Sequence, residues 1–179
     1  MVELSIIRDL VAIFGVIAGF SYYVLTVRAN QRNTRITLTN SIMQTMVSEE
    51  AQRRWIELMN MEWSDYDDFE KKYGSDVNPE NYAKRSAVWN SYNMLGNLLM
   101  KNIIDAETFY MAGGTWAIFV WERFKSVLME HRRRYGSADS YTGLEYLASE
   151  MFKIRKQRDP NYQIPKTFTK YIPEKQTPP

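Results

Sequence analysis

The side chains with the widest chemical repertoire are scarce in this sequence. It holds one histidine, His131, and no cysteine. Disulfides, thiolate nucleophiles, iron–sulfur clusters and multi-histidine metal sites therefore cannot be built from its own residues. Nucleophilic catalysis of the Ser-His-acid kind would need His131 as its base. Its neighbours, Glu130 and Arg132-Arg133-Arg134, read instead as the polar end of a long helix, where cations meet the negative pole of the backbone dipole. Paired acids can act as general acid and base, and Asp65, Asp67, Asp68 and Glu70 are dense enough to raise that chemistry. The same cluster is what a helix N-terminus stabilises without any catalytic role. The sequence has no Glu-x-x-His pair for a carboxylate-bridged metal centre and no phosphate-binding glycine loop; Gly113-Gly114 reads as a helix breaker. Its ten methionines are too dispersed for a thioether copper site and suit flexible core filling. The expectation is no catalytic residue, no cofactor and no metal ligand set.

Charge narrows the partners. The net charge of +2 is carried by the first 35 residues, where Arg8, Arg28, Arg32 and Arg35 outnumber Glu3 and Asp9. The balanced remainder argues against a dedicated nucleic-acid binder, whose affinity would come from phosphate neutralisation. The basic groups Arg132–Arg134 and Lys153, Arg155, Lys156, Arg158 could touch anionic headgroups, but each follows an acid, Glu130 or Glu150, as solvated helix ends do.

The elements that would position these groups begin with an anchor. From Leu10 to Val27 no charge interrupts an apolar run, and 18 residues at about 1.5 Å each match the bilayer hydrocarbon. One transmembrane helix over about 8–27 is expected, within an anchor spanning 1–35. Tyr22 and Tyr23 fall at its interfacial end, and Arg28, Arg32 and Arg35 follow, which places the N-terminus outside and the body in the cytoplasm. A cleaved signal peptide is the alternative, with small residues around Val27-Arg28-Ala29. Its n-region lacks a positive excess, and the basic cluster lies on the wrong side of the run. Gly15 and Gly19, with Ala12 and Ala18 nearby, form a GxxxG that permits close helix packing in lipid, with itself or with another membrane subunit.

Residues 36–158 read as a helical domain. A first helix is expected to start at Thr39-Asn40-Ser41 and run to about Met61, with Met43, Met46, Trp55 and Leu58 on one face. Ser64 with Asp67 has the form of a capping box opening a short acidic helix closed by Gly74. Asn78-Pro79 opens a helix to about Lys101, Asp105 caps a short one ending at Gly113-Gly114, and Trp116–Tyr135 stops at Gly136. Thr142 with Glu145 repeats the capping-box pattern for a last helix. The run Trp116–Trp121 is too short to span a membrane and reads as core. The fold class is all-α, without strands: a membrane helix, then a small bundle of about four longer and two short helices. Residues 159–179 hold five of the six prolines and are expected to be an extended, non-helical tail lying on another subunit or on its own body through Tyr162, Phe168 and Tyr171.

Over roughly residues 5–155 the chain resembles a family of uncharacterised prokaryotic proteins with one N-terminal span and a small helical cytoplasmic domain. The resemblance rests on Trp63-Ser64-Asp65 with Phe69, Leu95-Gly96-Asn97-Leu98 leading to Ile104-Asp105, Trp121-Glu122, Arg132, and Leu144-Glu145-Tyr146-Leu147-Ala148. It carries over no catalytic residue, because the family has no established activity. Two functions remain: a membrane-anchored interaction protein, such as an accessory or scaffolding subunit of a membrane complex, or a tethered enzyme or ligand-binding domain using carboxylates and arginines. A cleft where Arg132 and Glu122 or Glu145 converge on an apolar pocket would favour the second.

Overall fold

The computed structural model describes residues 2–169, and among these no strand occurs. The chain divides into two units, one ending at Asn40 and one beginning at Ser41. The first helix, α1 (Val2–Met46), is continuous through Thr39-Asn40-Ser41, where a start signal was expected. The reason lies in the threonines: Thr34 Oγ1 donates to the Asn30 carbonyl at 2.9 Å and Thr39 Oγ1 to the Arg35 carbonyl at 2.8 Å. These residues bond back along the helix instead of capping a new one. The true start is Ser48, with extended ψ and a hydroxyl accepting from the Ala51 N–H, which opens α2 (Glu49–Met59) with Glu49 and Glu50 in its first turn.

The expected box at Ser64 is displaced by one residue. Asp65 caps α3 (Tyr66–Tyr73), its carboxylate accepting from the Asp68 N–H at 2.9 Å, and Asp68 in turn accepts from the Ser64 N–H at 3.0 Å. Asn78 accepts from the Asn81 N–H and Pro79 opens α4 (Pro79–Met100). Asp105 caps α5 (Ala106–Phe109), which passes directly into a π-helical turn, Tyr110–Gly114, with Gly113 at φ 100°. Gly113 thus breaks the helix, as its sequence suggests, ahead of α6 (Trp116–Tyr135), which Gly136 ends at φ 62°.

No capping box forms at α7 (Thr142–Arg158). Thr142 donates its hydroxyl to the Asp139 carbonyl at 3.0 Å, and Tyr141 occupies the cap position in left-handed conformation. Glu145 is thereby released for Arg132. Pro165 is compatible with a first helical turn, and one turn, α8 (Lys166–Thr169), follows it, so this stretch is helical where an extended chain was expected.

Two layers of contact hold the second unit. Helix α4 packs on α7, and α6 on α7 and α3, around fully buried Phe69, Phe109, Phe124, Leu95, Ile118 and Leu147. Each such side chain contributes roughly 1.5–3 kcal/mol by leaving water. Trp63 stacks on Phe124 at 5.4 Å and meets Phe69 edge-on at 5.3 Å, while Trp89 meets Phe124 edge-on at 5.2 Å.

Candidate functional site

The apolar segment of α1 stands in the open. Phe14 is 67% exposed, Val16 72% and Phe20 68%, and the helix is long and apolar enough over Ile6–Gln44 to cross a membrane. A Cβ placed on Gly15 or Gly19 would meet nothing within 4 Å. Tyr22 and Tyr23 are exposed, as are Arg28, Arg32 and Arg35.

The acidic cluster of α3 is occupied by structural work. Asp65 caps, Asp67 pairs with Arg134 at 2.6 Å, and Asp68 pairs with Lys72 at 2.8 Å, which holds its carboxyl below the usual range. Glu130 accepts from both Arg133 and Arg134, and its pKa falls to about 2. His131 lies half-buried with its ring 4.6 Å from Tyr135, and its Nδ1 meets no hydrogen-bond partner among the described residues. Burial lowers its pKa, and Glu70 and Arg85 act on it in opposite directions. Among the described residues, no group of three His, Asp or Glu is placed to hold a metal ion.

Charged groups do converge between α6 and α7. Ile118, Trp121 and Glu122 recur at helical spacing on α6 and face Glu145, Tyr146 and Phe152 of α7 across a cleft of about 560 Å³, with Ile164 at its edge. Arg132 binds from the next turns of α6: its Nη1 donates to Glu145 at 2.7 Å, its Nε to the Ser140 carbonyl at 2.7 Å, and its guanidinium carbon lies 5.7 Å from the Trp121 ring centre. Glu145 is therefore charge-paired, while Glu122 forms no ion pair among the described residues. The cleft presents aromatic faces and one uncompensated carboxylate, which suits a cation or a hydrogen-bond donor.

The tail residues lie on the second unit. Phe168 stacks on Phe119 at 4.2 Å, and the Thr167 carbonyl accepts from Arg123 Nη1 at 3.3 Å. Tyr162 sits 6.2 Å from Phe152 and beneath the Arg155 guanidinium at 4.8 Å. Tyr171 lies outside the described residues.

Two buried arginines escaped the sequence reading. Arg123, 3% exposed, donates to the Met61 carbonyl and stands over Trp63. Arg85, 2% exposed, makes no ion pair among the described residues and lies between Phe69, Tyr82 and Trp89 at 4.7, 4.8 and 5.2 Å. Burial lowers its pKa, with Glu70 opposing. The only signal was spacing: Arg85 stands four residues before Trp89, on the stripe that continues to Tyr92.

A family described as Domain of unknown function (DUF4760) matches residues 8–151. No curated protein and no solved structure matches the chain.

Proposed function

The chain belongs to the DUF4760 family, and from that premise we propose that it is a membrane-anchored helical interaction protein, an accessory or scaffolding subunit of a membrane assembly. One observation carries the reading: the apolar side chains of α1 stand exposed on every side of a helix long enough for a bilayer. Water penalises such a surface, and lipid accepts it. The arginines after Val27 favour a cytoplasmic body, with Tyr22 and Tyr23 at the interface. The open face at Gly15 and Gly19 suits a second helix, from another copy or another subunit. Topology tests the anchor directly, because the chain has no cysteine of its own. In intact cells, an impermeant thiol reagent should label Val2→Cys and leave Ser137→Cys unlabelled. Labelling of Ser137→Cys would reverse the orientation, and release of the protein by alkaline wash would remove the anchor.

A second reading is favoured by the α6–α7 cleft. There Glu145, oriented by Arg132, and the unpaired Glu122 meet Trp121 and Phe152, as a tethered ligand-binding domain would require.

A further inference from the structure

A second cavity, of about 320 Å³, lies where the last turn of α1 and helices α2 and α4 meet the π-helical turn and the start of α6. Met43, Met46, Val88 and Phe109 give it apolar walls, and Trp55 and Trp116 meet edge-on at 4.2 Å in its lining. Its charged members, Glu50 and Arg54, pair with each other. Gln52 donates to the Met46 carbonyl at 3.2 Å, and Ser91 to the Ala87 carbonyl at 2.7 Å. Besides the half-exposed Trp116 indole, the lining holds two further aromatic donors, Trp55 and Tyr92. Trp55 Nε1–H is buried and meets no acceptor among the described residues. Tyr92, 6% exposed, also lines the cavity, and its phenol hydroxyl can donate a hydrogen bond. Buried donors ordinarily find a partner, because leaving one unmade forfeits its hydration without return. Gly113, at φ 100°, belongs to the lining where the backbone kinks ahead of α6.

These features restrict the occupant. The volume stands at the lower end of the small-molecule range of about 300–1,000 Å³, too small for a two-chain lipid. Apolar walls, whose only lining cation Arg54 is already paired with Glu50, disfavour a carboxylate. The two donors call for an acceptor. We propose that this cavity binds a small, neutral, mainly apolar molecule carrying one carbonyl-type acceptor, which receives hydrogen bonds from Trp55 and Tyr92. The inference does not depend on the α6–α7 cleft, whose chemistry is anionic.

The full chain in lipid nanodiscs, labelled with ¹³C at its methionine methyls, provides the test because Met43 and Met46 belong to the wall. 2-Octanone should shift both signals saturably and leave that of the exposed Met100, outside the cavity, in place. Octane, which lacks the acceptor, and octanoate, which carries a charge, should bind about three- to tenfold more weakly. Trp55→Phe and Tyr92→Phe should each weaken 2-octanone binding by a similar factor, and Val88→Trp should abolish it by filling the space. The conservative Tyr92→Phe keeps the test decisive even where Val88→Trp fails to fold. Absence of a saturable shift, tighter binding of octanoate, or unchanged affinity in both donor-deleted variants would overturn the proposal.

Discussion

Gly96 and Gly143 meet backbone to backbone where α4 crosses the start of α7: a Cβ on Gly96 would stand 1.7 Å from the Gly143 carbonyl oxygen. The contact is reciprocal in kind, since a Cβ on Gly143 would lie 2.3 Å from the Asn93 carbonyl oxygen. Asn93 also accepts from the Leu144 N–H through its side chain at 3.2 Å, so the crossing is pinned by a hydrogen bond as well as by proximity. Glycine inside a helix costs about 1 kcal/mol relative to alanine. Close approach of α4 to α7 compensates that cost by letting Leu95, Leu144 and Leu147 bury completely.

Gly143→Ala should therefore destabilise the helical unit by about 2–3 kcal/mol, because a methyl group there strikes backbone that cannot rotate away. For a chain of this size that corresponds to a fall in Tm of roughly 5–10 °C. Gly15→Ala, in open surroundings, serves as the control and should leave Tm within about 1–2 °C of wild type. Thermal unfolding followed by far-UV circular dichroism decides it: equal Tm for Gly143→Ala and wild type would mean that the helices separate at little cost.

The local signals of the sequence transferred well where a residue acts on its own backbone. Asn78-Pro79, Asp105 and Gly136 stand at helix ends because capping and left-handed closure involve atoms three or four residues away. Thr39 and Thr142 misled for the same local reason, since their hydroxyls had carbonyls within reach and bonded those instead. Long-range partners were out of view. Nothing near Gly96 in the sequence announces Gly143, and nothing near Arg85 announces Phe69 as a cation–π partner. The pairing of Arg132 with Glu145, and a cleft shared by Glu145 and Glu122, were nameable as possibilities because helical spacing put each on a definable face, but the choice of facing helix came only from tertiary packing.

His131 supplies a pH dependence whose sign follows from burial. Its folded pKa lies below the ordinary 6.5, so the unfolded chain binds the proton more readily than the folded one. The stability tied to neutral His131 is fully present above pH 6.5 and is lost as pH falls through 6.5 toward the folded value. Tm of the wild type should drop between about pH 7 and 5, and His131→Phe, which cannot protonate, should flatten that part of the curve. An identical profile for both proteins would assign the acid sensitivity to carboxylates instead.

The glycines of α1 test how the anchor is used. Gly15 and Gly19 face open space in the isolated chain, so a leucine at either site displaces nothing within 4 Å. The double substitution Gly15→Leu with Gly19→Leu should leave helicity and Tm of the second unit unchanged, because no side chain of that unit is altered. In a bilayer the same change removes the shallow surface on which a second helix can approach closely, and association through it loses its van der Waals contact. Size-exclusion chromatography with light scattering in mild detergent should therefore show a smaller particle for the variant than for wild type. Equal particle sizes would mean that the GxxxG spacing is a compositional coincidence and that any assembly of this protein is made through other surfaces.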